Sequence, residues 1–183
     1  VGANVGMYTF LAAAWKHAVV AFEIDPIHVI RLCESMRFNR IPWHVRIHRQ
    51  CASTVSDSTL NIETVDEERG DDASGRKFSV STVTLDEFAT QRNWFERKDL
   101  HIALLKVDTG GFELQVLQGA RKFIKRQLAK NLILDFFGTS CREAAMMLLK
   151  AGYVSTMRPI AGGCYHVRNQ NWLSIRFRPM ITF

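Results

Sequence analysis

The stretch VGANVGMYTFLAAAWKHAVVAFEIDP (residues 1–26) places a glycine turn, a helix, a strand and an acidic residue in succession. Gly2 and Gly6 let the backbone approach a ligand closely, and the N–H groups that start the following helix favour a polar or anionic group. Glu23 ends the strand about twenty residues after the turn, where such folds hydrogen-bond both hydroxyls of a ribose. The succession predicts a nucleoside site, and close packing between strand and helix is the alternative explanation of the glycines.

The turn also limits which nucleotide it can hold. It lacks the GxGxxG pattern of dinucleotide-binding turns and the Lys-Ser/Thr pair of a phosphate-binding loop. A dinucleotide or a triphosphate therefore fits poorly. A nucleoside without a pyrophosphate, of which S-adenosylmethionine is the common example, fits better.

Three apolar runs elsewhere in the chain indicate the fold class. VVAFE (residues 19–23), IALLKVD (102–108) and LILDFF (132–137) are continuous rather than alternating, as in strands buried on both faces of a parallel sheet. Helical patterns alternate with them at residues 7–18, 26–38, 113–130 with a bend at Gly119, and 141–150. This alternation predicts a doubly wound α/β domain with helices on both faces of a mostly parallel, twisted sheet.

Two segments depart from this alternation. The polar segment 54–84 predicts a hairpin-like insertion, with strands at 59–65 and 77–84 around an exposed loop, EERGDDASGRK (67–77). Short strand patterns at 153–157, 165–168 and 172–177 predict an antiparallel C-terminal edge on the sheet. We expect a single domain over residues 1–183. Because the chain starts at Val1 inside its first motif, we also expect that domain to lack the strand that precedes the glycine turn.

The composition, 47% hydrophobic and 23% charged residues, is typical of a globular protein and excludes disordered and coiled-coil classes. No window reaches the roughly 18 consecutive apolar residues of a membrane span, so we expect none here. The default expectation is a cytoplasmic protein, and a membrane-anchored longer form is the alternative.

Metal binding is not expected from the cysteines and histidines. Cys33, Cys51, Cys141 and Cys164 show no CxxC or Cys/His ligand spacing, which favours reduced thiols over a zinc site or a disulfide framework. His44 and His48 lie in a strand-like pattern, which makes them a poor metal pair.

The net charge of +6 is concentrated at the C-terminal end, where eleven Lys and Arg follow residue 120 against Asp135 and Glu143. Such an excess could bind nucleic acid or an anionic membrane. The bases in RKFIKRQLAK (121–130) follow helical spacing, however, and we favour the solvated face of an amphipathic helix over a nucleic-acid partner.

Four motifs, VGANVGMYTF (1–10), AFEIDP (21–26), VTLDEF (83–88) and LLKVDTGGFELQVLQGA (104–120), together resemble the FkbM family of S-adenosylmethionine-dependent methyltransferases. They keep the order and spacing of that family from the first residue to about Phe137. The resemblance implies a Rossmann-like class I methyltransferase fold with an antiparallel final strand. It also implies S-adenosyl-L-methionine as cofactor and O-methylation of a hydroxyl on a small molecule, a sugar or a lipid-linked glycan.

The resemblance also implies which residues would bind the cofactor. Glu23 would hold the ribose, and Asp25 would approach the adenine side. For the segment after the third strand, which includes Ala52 and Ser53, it implies adenine contacts, whereas packing at a strand end explains Cys51 equally well. The methionine part of the cofactor would be lined by Gly2, Ala3, Asn4 and Gly6.

The candidate catalytic residues stand at and after the end of the IALLKVD strand, because ligands of open α/β sheets bind beyond the carboxyl ends of the strands. Lys106 and Asp108 share one side of the strand, and Glu113 follows the turn. They would position a hydroxyl acceptor and accept its proton. A structural ion pair of Lys106 with Asp108 or with Glu113 is the alternative.

One position departs from the family pattern K-x-D-x-E-G-x-E, because Gly110 stands where the family has its middle acid. Either Asp108 or Glu113 then accepts the proton, or the protein is an inactive methyltransferase-like scaffold. A nucleic-acid methyltransferase that uses the basic C-terminal third is a further alternative. Asp135, where the family often has Glu, could serve acceptor binding.

Overall fold

The computed structural model describes residues 1–41, 44–64, 76–135, 141–155 and 174–179, which belong to two compact units. Unit 1 comprises Val1–Gly2, Ala52–Thr54 and Thr84–Phe183, and unit 2 comprises Ala3–Cys51 and Val55–Val83. The described elements are, in chain order, α1 (Met7–Ala14), β1 (Val19–Phe22), α2 (Pro26–Phe38), β2 (Val45–His48), β3 (Cys51–Ala52), β4 (Thr59–Thr64), β5 (Arg76–Val83), α3 (Leu85–Gln91), β6 (Leu105–Asp108), α4 (Glu113–Gln118), α5 (Arg121–Lys125), β7 (Leu132–Asp135), α6 (Cys141–Lys150), β8 (Tyr153–Ser155) and β9 (Ser174–Pro179).

The described strands form three hydrogen-bonded ladders, β1-β2, β3-β5-β4 and β6-β7-β9-β8, rather than the single mostly parallel sheet that the sequence predicted. The pairs β1-β2 and β6-β7 are parallel, as expected for the apolar runs. The other specified pairs, β4-β5, β7-β9 and β8-β9, are antiparallel. The result is a mixed α/β fold.

Unit 2 begins at Ala3, inside the glycine turn, and continues into α1; its α2 has the bounds that the sequence predicted. Pro26 occupies the first turn of α2, and the Asp25 carboxylate accepts a hydrogen bond from the Ile27 N–H. A proline in the first turn and an aspartate at the N-cap are strong helix-start signals, which explains why this boundary was predictable. Leu32 is fully buried on the inner face of the helix.

The segment predicted as a hairpin contains β4 and β5, which pair from Thr59 with Ser81 to Thr64 with Arg76. These strands lie within one residue of the predicted ones. Most of the predicted loop, residues 67–75 of 67–77, lies outside the described residues.

Unit 1 contains the four-stranded ladder, in which the two described C-terminal strands form the antiparallel edge that the sequence predicted. β9 is antiparallel to both β7 and β8 and lies between them, so β8 is the edge strand of the described ladder. The sequence did not give the order of β8 and β9 within this edge, because local patterns show that a segment is extended but not which neighbours it joins. The strand predicted at 165–168 lies outside the described residues.

The helix predicted over 113–130 is two short helices, α4 and α5, separated at Gly119 and Ala120. The Asp86 carboxylate explains the break, because it accepts hydrogen bonds from the main-chain N–H groups of Lys122 and Phe123 and so caps a new helix start. Phe123 is buried, whereas Lys122 is exposed with its Nζ 4.0 Å from the ring centroid of Phe95. The exposed bases Arg121, Lys122 and Lys125 therefore form the solvated face of α5, as predicted. The helix ends at Lys125, however, so Arg126 and Lys130 of the basic run lie beyond it.

Helix α3 was not predicted, although its sequence carries a start signal. The Thr84 hydroxyl oxygen accepts a hydrogen bond from the Glu87 N–H, which is half of the T-x-x-E capping pattern. None of the helices in the described part of the chain is long and apolar enough to traverse a lipid bilayer.

Candidate functional site

The Glu23 carboxylate lies immediately after β1 in unit 2, and main-chain N–H groups hold it on both oxygens. Its Oε2 accepts the Asn4 N–H at 2.6 Å, and its Oε1 accepts the Ile24 and Asp25 N–H groups at 2.9 Å each. His28 Nδ1 lies 3.8 Å from Oε1. Glu23 is only 6% exposed. These donors come from the glycine turn and from the residues before α2, so the fold fixes the orientation of the Glu23 carboxylate before any ligand binds.

The glycine turn in unit 2 is shaped by packing. Ala3 N–H donates to the Phe22 carbonyl oxygen at 3.0 Å, which joins the turn to β1. Gly6 has a φ of 98°, and a Cβ there would overlap the Phe10 ring and lie 2.5 Å from a Leu32 methyl carbon. Close packing therefore accounts for Gly6, and contact of Ala3, Asn4 and Gly6 with a cofactor stays a prediction.

Asp25, two residues after Glu23, is 5% exposed and fully engaged with protein groups. Its Oδ1 caps α2, and Arg76 binds both of its oxygens, Nη2 to Oδ2 at 2.8 Å and Nη1 to Oδ1 at 3.3 Å. The Asp25 carboxylate thus caps a helix and forms an ion pair. Its contact with the adenine of a cofactor stays a prediction.

Ala52 and Ser53 in unit 1 are both buried. A Cβ at Gly119 would overlap the Ser53 carbonyl oxygen, so the two backbones are in close contact. In unit 2, Cys51 is a buried thiol outside any disulfide, and burial raises its pKa, which supports the packing interpretation for that residue. The adenine contacts of Ala52 and Ser53 stay predictions.

In unit 1, Lys106 and Asp108 form an ion pair, which the sequence left open as the structural alternative to a catalytic role. Lys106 Nζ lies 2.7 Å from Asp108 Oδ2 and donates to the Gly2 carbonyl oxygen at 3.3 Å. A Cβ at Gly2 would overlap the Asp108 carbonyl oxygen. The glycine thus lets the start of the chain lie against the end of β6. Lys106 partly neutralises Asp108, and the Asp108 side chain keeps 31% exposure.

Glu113 is fully buried and holds the turn that follows β6. Its Oε1 accepts hydrogen bonds from the Thr109 N–H at 2.8 Å, the Thr109 hydroxyl at 2.9 Å and the Gly111 N–H at 3.1 Å. Its Oε2 has no hydrogen-bond partner within the described ranges. The geometry gives Glu113 a structural role, and its predicted catalytic role is not favoured by its burial.

Asp135 joins Asp108 at the carboxyl ends of two paired strands, since the two residues are partners in the β6-β7 register. Burial raises the pKa of the Asp135 carboxyl, the negative charges of Asp108 and Glu113 raise it further, and Lys106 partly offsets the rise. The structure therefore brings Asp108, Asp135 and Lys106 together. No group of three or more His, Cys, Asp and Glu in the described part of the chain is arranged to hold a metal ion.

Arg76 is the residue of this region that sequence reasoning missed. It lies 51 residues from Asp25, in a stretch that the sequence assigned to an exposed loop. No motif or periodicity links the two positions. Its position at the start of β5 is shown only by the pairing of β4 with β5 in the structure.

The sequence profile of the methyltransferase FkbM domain matches residues 1–155 of this chain. The chain belongs to the FkbM methyltransferase family. The resemblance of the four motifs is thereby confirmed, and membership in the family supports a methyltransferase. No curated protein matches the chain in sequence.

Two solved structures match the chain to different extents. Methyltransferase FkbM from Methylobacillus flagellatus KT superposes with a TM-score of 0.61 at 18% identity, and the match covers 97% of this chain and 41% of that one. The chain thus spans less than half the length of that relative. A human methyltransferase 10 domain containing protein matches with a TM-score of 0.42 at 9% identity, over 96% of this chain and 66% of that one.

Proposed function

We propose that the chain is an S-adenosylmethionine-dependent methyltransferase domain that methylates a hydroxyl of a small molecule, a sugar or a lipid-linked glycan. The observation that carries the proposal is the Glu23 carboxylate, held by three main-chain N–H groups beside the glycine turn in a chain of the FkbM family. The parallel pairs β1-β2 and β6-β7, with the antiparallel last strand β9, support a Rossmann-like class I methyltransferase fold.

The residues of unit 2 fit the nucleoside end of the cofactor. A carboxylate oxygen accepts two hydrogen bonds, and Glu23 Oε2 accepts one from Asn4. Its second lone pair can accept a ribose hydroxyl. S-adenosylmethionine, when bound, supplies a methyl group that is already activated, so the protein mainly has to position the acceptor and remove its proton.

The residues of unit 1 fit the acceptor end. A general base works best when its pKa lies near the working pH, and the pKa of Asp135 is shifted in that direction. Lys106 holds Asp108 in an ion pair, which leaves Asp135 as the carboxylate best suited to accept a proton from a hydroxyl. We therefore assign proton removal to Asp135 and acceptor orientation to Asp108, in place of the acid that the family has at Gly110.

Isothermal titration with S-adenosylmethionine, followed by a screen of cofactor consumption against sugars, lipids and hydroxylated metabolites, tests the proposal. We expect binding together with transfer to at least one hydroxylated acceptor. No detectable binding would remove the proposal. Binding without transfer to any acceptor would favour the inactive scaffold instead.

Asp135→Asn tests the acid–base assignment through the pH dependence of stability. The pKa of the Asp135 carboxyl is higher in the folded protein than in the unfolded chain, where it is about 3.9. The protonated carboxyl therefore stabilises the fold fully below the unfolded pKa. This stabilisation is lost as the pH rises through the folded pKa and the carboxyl ionises. We expect the variant to melt at a higher temperature than wild type at pH 7, with the difference vanishing in acid. Methyl transfer should fall by about 10²- to 10⁴-fold.

Asp99→Asn is the matched control, because Asp99 is an exposed carboxylate of the same unit. We expect it to change neither the melting curve nor the transfer rate. An Asp135→Asn protein that is less stable than wild type at pH 7, or as active, would contradict the assignment.

A further inference from the structure

Arg76, the first residue of β5, makes a two-point ion pair with a buried carboxylate of unit 2. Its guanidinium lies 2.8 Å from Asp25 Oδ2 and 3.3 Å from Asp25 Oδ1. The Asp25 side chain is 7% exposed, and the Arg76 side chain is 39% exposed. A buried carboxylate is costly without a partner, and a planar guanidinium that binds both oxygens also fixes the orientation of the carboxylate.

Asp25 connects this ion pair to the ribose-binding candidate. Its side chain is held by Arg76 and by the Ile27 N–H, while its own main-chain N–H donates to Glu23 Oε1 at 2.9 Å. The opposite oxygen of Glu23 accepts the Asn4 N–H of the glycine turn. A continuous series of hydrogen bonds therefore runs from the hairpin through Asp25 to Glu23 Oε1, and through the Glu23 carboxylate to Asn4 in the glycine turn.

We propose that Arg76 is a positioning residue for Glu23. Without touching the cofactor, it fixes Asp25 and thereby the direction of the Glu23 carboxylate. Removal of Arg76 leaves the Asp25 charge uncompensated, so that this side chain turns toward water and its peptide, with the N–H that holds Glu23, shifts. The consequence for cofactor binding rests on the proposed function.

A second ion pair of the same hairpin provides the control. Lys77 Nζ lies 3.1 Å from Glu63 Oε1, but both side chains are mostly exposed, at 74% and 61%. Exposed pairs contribute little to stability. Lys77→Ala therefore removes a cation and an ion pair from the next residue of β5 without disturbing Asp25.

The test is isothermal titration of wild type, Arg76→Ala, Arg76→Lys and Lys77→Ala with S-adenosylhomocysteine and with its analogue that lacks both ribose hydroxyls. We expect Arg76→Ala to weaken S-adenosylhomocysteine binding about 5- to 10-fold, the size of coupling within one hydrogen-bond network. The affinity of Arg76→Lys for S-adenosylhomocysteine should lie between those of wild type and Arg76→Ala, because lysine keeps the charge but not the two-point contact. Lys77→Ala should match wild type.

Binding of the analogue without hydroxyls separates positioning from general destabilisation. We expect Arg76→Ala to leave the affinity for this analogue unchanged, because the analogue offers Glu23 no hydroxyl to bind. In a protein that already carries Glu23→Ala, we expect Arg76→Ala to cause no further loss of affinity for S-adenosylhomocysteine. Equal weakening for both ligands by Arg76→Ala, or by Arg76→Lys if the alanine variant does not fold, would overturn the proposal. The proposal would also be overturned if Lys77→Ala weakened S-adenosylhomocysteine binding as much as Arg76→Ala does.

Amide NMR spectra without ligand test the same link independently of the proposed function. The N–H groups of Asn4 and Asp25 donate to Glu23, so their proton resonances should shift in Arg76→Ala and in Arg76→Lys, but not in Lys77→Ala. Unchanged Asn4 and Asp25 resonances would overturn the positioning role. If wild type binds no cofactor, the proposed function fails while these spectra still decide the role of Arg76.

Discussion

Glu23→Ala is expected to weaken S-adenosylmethionine binding about 10- to 150-fold, the equivalent of about 1.5–3 kcal/mol for a hydrogen bond to a charged group. The carboxylate is already held by three N–H groups, so it loses little freedom when a ribose arrives. Its removal takes away both the acceptor and the group that ties the glycine turn to the start of α2. Isothermal titration of the folded variant gives the dissociation constant.

Glu34→Ala is the control for this measurement, because Glu34 is an exposed carboxylate on α2. It removes the same charge from the same unit, and we expect wild-type affinity. Circular dichroism of both variants should match wild type, so that a loss of binding reports on the site. An unchanged dissociation constant for Glu23→Ala would remove Glu23 from the cofactor site and, with it, the main support for the proposed function.

Gly119→Ala is expected to have the largest effect on stability, a loss of about 3 kcal/mol or more, which is at the upper end for overpacking. A Cβ at this position would overlap the Ser53 carbonyl oxygen and lie 2.9 Å from the Ser53 carbonyl carbon. Backbone atoms cannot move aside as a flexible side chain can. The Gly119 carbonyl also accepts the Asp86 N–H, so a shift of this residue disturbs α3 as well. Thermal or urea denaturation measures the loss.

Gly110→Ala provides the comparison within the same unit. A Cβ there would meet no atom of the described residues within 4 Å. Among these residues only the φ of 65° disfavours a side chain, at a cost of about 1–2 kcal/mol. We therefore expect Gly119→Ala to be clearly the less stable of the two. The opposite order would show that backbone strain outweighs the contact with Ser53.

Local signals determined much of this fold in advance. Asp25 and Pro26 mark the start of α2 because capping and a restricted φ act within one turn of the chain. The apolar runs predicted β1, β6 and β7 because burial on both faces leaves a continuous pattern. The order of the four motifs was sufficient to indicate the family. Even the unpredicted α3 carried its signal, the T-x-x-E sequence at Thr84.

The candidate site was predictable only in part, because an acid at the end of a strand can be read from the sequence but its partners cannot. Glu23 was predicted as the ribose ligand, a role that stays a proposal. The sequence could not show that Glu113 is fully buried and tied to the Thr109 turn, since burial depends on what packs above a residue. The raised pKa of Asp135 has the same origin, because both its burial and its charged neighbours depend on strand register.

The sequence by itself thus determined the family, most of the order of the elements and the identity of the ribose-binding candidate, because signals within a few residues mark each of them. The tertiary structure alone decided the placement of β9 between β7 and β8, the contact of Gly119 with Ser53, and the pairing of Arg76 with Asp25. These contacts join residues far apart in the chain. Their energies depend on strand register and packing, which leave no periodic trace in the sequence.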